Sequence, residues 1–192
     1  YSWIAARRLS DQMGPDLAPF ELVPFFEPNP NTSARLTERG ACCLYQPMSR
    51  TRHFYILQDV KGLAAQYGYN VKWPVDGPTP NWEVPHLAYL AARNAGHGRS
   101  VFWAIYAARW EEGRDICDPA TMVEIEKNHG LKDLLSTAAE VEEIRMQGVD
   151  AIEQGHDDSA FGVPFFVIGR EKCWVQDRLD FVLKKMEALY AS

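Results

Sequence analysis

The sequence has no C-x-x-C pair among its four cysteines, Cys42, Cys43, Cys117 and Cys173, and no cysteine–histidine spacing of a zinc site. Neither a dithiol redox motif nor a structural metal is expected, because the adjacent pair Cys42-Cys43 is a poor chelate by itself. Free thiols suit a reducing compartment, so a cytoplasmic or organelle-matrix location is expected. Long apolar runs are also missing: the longest, at 101–108 and 161–168, hold eight residues each, against the ~20 that a spanning helix needs. No charged stretch leading into an apolar run opens the residues shown, and no secretory signal is read there. Lysine and arginine form no cluster and the net charge is −6, which excludes nucleic acid as a partner, since its binding replaces condensed counterions with clustered cations. Repeats and low-complexity tracts are absent.

What remains is an ordinary globular balance. Apolar residues make up 46% and charged residues 24% of 192, enough for one large domain or a small domain carrying an insertion. Residues 1–9 read as a helix with Gly14-Pro15 as its stop. Residues 20–26 read as a strand at an edge or bulge, because Pro24 lies within them. A short helix or loop follows at 29–40. Helical spacing of Tyr55, Ile56, Val60, Leu63, Ala64 and Tyr67 predicts a helix over 50–68 ended by Gly68. Residues 71–75 are extended, and Pro74, Pro78 and Pro80 make 74–81 a stiff connection. Helices are then expected at 85–95, 100–112, 119–129, 131–137 and 139–155, with Ser100 and Asp118 as N-caps and Pro119 at a first helical position.

Residues 161–181, FGVPFFVIGREKCWVQDRLDF, hold the densest set of signals. Pro164 cannot donate to a sheet ladder and belongs at a strand start, an edge or a bulge. A turn at Gly169 and the charged residues after it would join antiparallel strands at 165–168 and 173–175. Asp177 precedes Leu179, Val182, Leu183, Met186 and Leu189 at helical spacing, so its carboxylate either caps that helix or serves a ligand. The element order predicts an α/β domain, residues 1–73 and 156–192, interrupted by an all-helical insertion at 74–155.

The run F-G-V-P-F-F-V-I-G followed by W-V-Q-D-R-L-D resembles the C-terminal signature of the 2-hydroxychromene-2-carboxylate isomerases and kappa-class glutathione transferases. Both belong to the DsbA-like branch of the thioredoxin fold. Y-I-L-Q-D at 55–59, L-A-A-Q-Y-G at 63–68 and W-E-E-G-R-D-I at 110–116 resemble the same family in order and approximate spacing, so the likeness spans nearly the whole chain. It implies a thioredoxin-like domain with a helical insertion, and glutathione as cofactor. It also implies a cis bond at Pro164, the Val163 backbone paired with the cysteinyl part of glutathione, Gln176 and Asp177 at its γ-glutamyl end, and Arg52 facing its carboxylates. Trp3, Cys43 and Trp174 fall beside the substrate. A homodimer acting on a small aromatic or conjugated compound is implied as well.

Two departures qualify the likeness. Relatives carry an asparagine near the thiol where this sequence has Gly40-Ala-Cys-Cys-Leu-Tyr-Gln-Pro47, leaving Cys42 and Cys43 as ligand-facing candidates. The family also opens with a strand and S-P-Y-S-Y/W, whereas the residues shown begin at Tyr1-Ser2-Trp3. Ser2 then matches the resolving position of a C-x-x-C oxidoreductase and is the hydroxyl left to act on the thiol, while the first strand and the family's activating serine are expected before Tyr1. Two other classes stay open: a DsbA-like thiol–disulfide oxidoreductase, which needs an upstream cysteine, and a non-catalytic glutathione- or peptide-binding domain.

Overall fold

A computed structural model describes residues 1–73, 76–174 and 176–190, with the side chains of Gln176, Leu189 and Tyr190 outside the described set. Among these residues the elements are α1 (Ser2–Met13), α2 (Pro30–Glu38), α3 (Arg50–Gln66), α4 (Glu83–Asn94), α5 (Gly98–Trp110), α6 (Pro119–Asn128), α7 (Glu142–Asp157), β1 (Phe165–Ile168), β2 (Glu171–Trp174) and α8 (Leu179–Tyr190). Short 3-10 turns lie at Ala138–Glu140 and Gln176–Arg178.

Local chemistry sets most helix ends. Asn29 caps α2 by accepting from the N–H groups of Asn31 and Thr32, both at 3.0 Å, and Pro30 fills a position where no donor is needed. Asp118 caps α6 through the Ala120 N–H at 2.9 Å. Gly68 follows α3 in the left-handed region, with φ of +74°, a backbone conformation that strains residues bearing a side chain. Ser100 does not cap its helix: α5 starts two residues earlier, with His97 as N-cap, and the Ser100 hydroxyl donates to the His97 carbonyl at 3.0 Å.

Two expected elements are not formed. Residues 131–137 are turns, because the Glu126 carboxylate accepts from the N–H groups of Leu134, Leu135 and Ser136 and from the Ser136 hydroxyl, and Asp133 sits at φ +49°. These contacts bend the chain around one buried carboxylate. Residues 20–26 are extended, but no described strand pairs with them; a strand needs a partner backbone that local sequence does not supply.

The sheet of the described residues is β1–β2 alone, antiparallel, with Phe165 opposite Trp174 and Ile168 opposite Glu171. The joining turn is Gly169-Arg170, with Gly169 at φ +60°, so β2 begins two residues earlier than the spacing implied. Val175, expected to close that strand, and Pro74 and Val75 of the extended connection lie outside the described residues.

The largest core lies between α4, α5, α6 and α7, and it takes in Phe26, Leu36 of α2 and Ala41. The helical layer therefore draws on residues well before 74. A second cluster joins α1 to α3 through Trp3, Ile4, Val60 and Ala64. Leu9, Leu17 and Leu179 pack α1 toward α8, and Val182 and Met186 set α8 against Cys173 of β2, as the spacing after Asp177 predicts.

One buried carboxylate ties these layers. Glu83, 1% exposed, accepts from the Asn29 N–H at 3.0 Å, from the Asn29 amide and from Arg145 of α7 at 2.7 Å. Removing one member of a buried pair strands the other charge, at a cost of about 3 kcal/mol or more. Glu83→Leu is expected to lower the unfolding free energy by about 3 kcal/mol in urea titrations, and Glu83→Gln, which keeps an acceptor oxygen, by less; equal stability of parent and Glu83→Leu would refute this anchoring.

Candidate functional site

A cavity of about 460 Å³ opens where the start of α1, the extended segment 20–25, the first turn of α4, the inner face of α5 and residues 163–166 converge. Its volume is in the range of small-molecule sites. The Val163–Pro164 peptide bond at its rim is cis. A smaller hollow of about 220 Å³, lined among others by Phe26, Glu27 and Tyr45, shares Phe25, Trp82, His86 and Val163 with the first. Val163 is 42% exposed and faces both. Among the described residues its N–H and C=O take no part in a backbone hydrogen bond, so both stay free for a ligand.

The polar groups of the cavity come from three helices. Ser2, first residue of α1, lies beside the phenol of Tyr106 on α5. Burial pushes that phenol up to about 12, and the nearby Ser2 hydroxyl draws it down only in part. Tyr1 donates its hydroxyl to Asp59 of α3. Trp3, 3% exposed, stacks on Trp110 at 6.3 Å and meets Tyr69 edge-on at 5.6 Å. Its indole Nε1 has no hydrogen-bond partner among the described residues, although indole N–H groups ordinarily find one when buried. Arg109 lies over the rings of Trp82 and Trp110, 4.9 and 5.1 Å from their centroids, and its guanidinium grips both oxygens of Asp76 at 2.6 and 3.0 Å. That pairing neutralises the cation on the cavity wall.

His86 is held one turn into α4. Its Nδ1 lies 2.6 Å from the Trp82 carbonyl, and its ring stacks on Phe26 at 5.0 Å. Burial lowers its pKa to about 4, the Trp82 carbonyl opposing and the nearby Arg109 charge assisting. The histidine is neutral at physiological pH.

Of the residues singled out in the sequence, the cavity brings together Ser2, Trp3, Val163 and Pro164. Arg52 is exposed in the first turn of α3 and does not line it. Cys43 is half-buried, its thiol donating to the Phe26 carbonyl at 3.6 Å, and burial raises its pKa. Cys42 is exposed and free; no cysteine lines the cavity among the described residues. Trp174 packs at a tilt against Phe161, ring centroids 4.8 Å apart, outside the cavity. It presses so closely on Gly162 that a Cβ there would lie 2.9 Å from its Nε1, and so braces the backbone next to Val163. Asp177 is exposed in the turn after β2, and the Gln176 side chain lies outside the described residues. His86, Tyr106 and Arg109 were not singled out. The one local signal for His86 was its spacing of four from Trp82, which lets a helical ring nitrogen reach a backbone carbonyl.

A sequence profile of the DsbA-like thioredoxin domain matches residues 1–187, and the chain belongs to that family. Among solved structures, a 2-hydroxychromene-2-carboxylate isomerase superposes with a TM-score of 0.73 at 16% identity, covering 98% of this chain and 89% of that one. At that identity the likeness is one of fold. No curated protein sequence matches. Among the described residues no helix is long and apolar enough to cross a membrane.

The buried histidine makes acid stability a test of this geometry. An unfolded histidine takes a proton near pH ~6.5, whereas folded His86 resists it until about 4. Between those values the unfolded chain binds the extra proton, so stability falls as pH falls. The unfolding free energy of the parent is expected to drop more steeply from pH 6.5 to 4 than that of His86→Gln, measured by urea titration at each pH. Parallel slopes would show that His86 is not held neutral.

Proposed function

We propose that the chain is a glutathione-dependent enzyme that isomerises, or transfers glutathione to, a small aromatic or conjugated compound, in the manner of a 2-hydroxychromene-2-carboxylate isomerase. The observation that supports this reading is the aromatic-walled cavity running from Ser2 at the start of α1 to the free backbone of Val163. An unpaired N–H and C=O on one exposed residue fit a peptide-like ligand, and a helix N-terminus with a hydroxyl fits a developing anion.

Glutathione, when bound, supplies a soft thiolate nucleophile able to add reversibly to a conjugated acceptor. The chain would hold it by pairing Val163 with its cysteinyl backbone and by directing Ser2 toward the sulfur, with Arg52, Gln176 and Asp177 assigned to its charged ends by the family resemblance. A free thiol has a pKa near ~8.5, and lowering it to ~6.5 takes about 2.7 kcal/mol. A helix N-terminus gives ~0.3–1 kcal/mol, up to ~2, and a hydrogen bond to a charged group roughly 1.5–3. The 12-residue α1 and one hydroxyl together meet that requirement, and neither does alone. Tyr106, beside Ser2, stays protonated. The apolar walls exclude water and accept a planar substrate. A homodimer in a reducing compartment belongs to the same proposal.

A dithiol oxidoreductase would need a cysteine ahead of Tyr1, with Ser2 standing at its resolving position. Calorimetric titration with reduced glutathione, combined with ultraviolet absorbance of the bound thiolate at neutral pH, tests the proposal. Binding with substantial thiolate is expected, and Ser2→Ala should reduce the ratio of thiolate to thiol about tenfold, one pKa unit for ~1.36 kcal/mol. Absence of binding, or binding with a fully protonated thiol, would overturn it.

A further inference from the structure

Asp76-Gly77 is the one Asp-Gly pair in the sequence, and no Asn-Gly pair accompanies it. At such a pair the backbone nitrogen of the glycine can attack the side-chain carboxyl of the aspartate, because no Cβ screens its approach. The N–H hydrogen and one carboxyl OH leave together as water, and a five-membered succinimide closes. Water then reopens the ring. Attack at the side-chain carbonyl restores aspartate, whereas attack at the main-chain carbonyl gives isoaspartate, in which the chain runs through Cγ. One water is released and one is taken up, so no reactant beyond solvent is needed.

Both residues are exposed, so water reaches the pair, yet each reacting group is held by a different partner. Arg109 donates to both carboxylate oxygens of Asp76, at 2.6 and 3.0 Å, and the oxygen that must leave is one of these two. The Gly77 N–H donates to Asp115 Oδ2 at 3.2 Å. Asp115 is itself fixed, its other oxygen accepting from the Cys117 N–H at 2.8 Å. Ring closure needs rotation about the Asp76 side chain and about the planar peptide that carries the Gly77 nitrogen. The guanidinium restrains the first and Asp115 the second. The chain just before the pair is tied to the same end of α5, with the Lys72 N–H donating to the Trp110 carbonyl at 2.8 Å and Trp73 meeting Trp110 edge-on at 5.9 Å.

We propose that Asp76-Gly77 is an isoaspartate-forming modification site that Arg109 and Asp115 hold silent in the folded chain. Its modification reports on the cavity wall. Isoaspartate lengthens the main chain by one carbon and leaves the carboxylate on Cα, so Arg109 loses its two-point partner. The guanidinium, placed over Trp82 and Trp110, is then a cation released at the cavity, whatever ligand that cavity takes.

The test follows isoaspartate at position 76 over time at neutral pH, by chromatography and mass spectrometry of tryptic peptides from the full chain. The folded parent should form it at least tenfold more slowly than the same chain unfolded in guanidinium chloride, a barrier difference of ~1.36 kcal/mol or more. Arg109→Met, which keeps an apolar stem over the indoles, should raise the folded rate about tenfold. Asp115→Ala should raise it about threefold and carries the test if Arg109→Met does not fold, folding being checked by circular dichroism. Gly77→Ala should slow the unfolded chain. Equal rates in the folded and unfolded parent would overturn the proposal without any variant, as would the absence of isoaspartate at position 76 in the unfolded chain. Folded variants that both keep the slow parent rate would also overturn it, since protection would then belong to the fold at large and not to these two side chains.

Discussion

Glu83 stands in the first turn of α4 beside Trp82 and three residues before His86, and its carboxylate joins Asn29, which caps α2, to Arg145 of α7. A charge with 1% exposure persists in a core only if its oxygens are satisfied. Here the donors come from two other elements, so α2, α4 and α7 cannot slide past one another without breaking the set. The position of α4 follows from that anchor. Trp82 and His86 then face the extended segment 20–25, and between them the cavity stays open.

A second group of polar anchors holds the cavity wall. Arg109 is paired with Asp76 and laid over two indoles, Tyr1 is tied to Asp59 of α3, and burial keeps Tyr106 protonated beside Ser2. In such a setting a new negative charge at the mouth of α1 is stabilised by few but well-placed groups, since low local polarity strengthens each of them. Trp174, packed on Gly162, stiffens the chain just before Val163, and positions backbone groups that it does not itself touch.

Helices were legible because their determinants are local. The Pro30 and Pro119 starts, the Asp118 cap, the glycine after α3 and the periodic apolar residues after Asp177 each act within a few positions. The β1–β2 hairpin was legible from Gly169 and its flanking residues for the same reason. The errors were non-local. Residues 20–26 have strand-like composition but no paired neighbour among the described residues, and 131–137 have helical spacing but surrender their N–H groups to Glu126. The cavity lining divides likewise: Ser2, Trp3, Val163 and Pro164 were singled out through a signature that keeps its spacing. His86 and Arg109 gain meaning only when α4 and α5 meet α1 across the cavity.

The central claim is that Ser2 and Val163 form the two ends of one thiol-binding site. A crystal structure of the chain with glutathione tests it most directly. The account predicts the sulfur within hydrogen-bonding distance of the Ser2 hydroxyl and the cysteinyl backbone paired with the N–H and C=O of Val163. Glutathione bound away from both residues, or held as a mixed disulfide on Cys42, would contradict it.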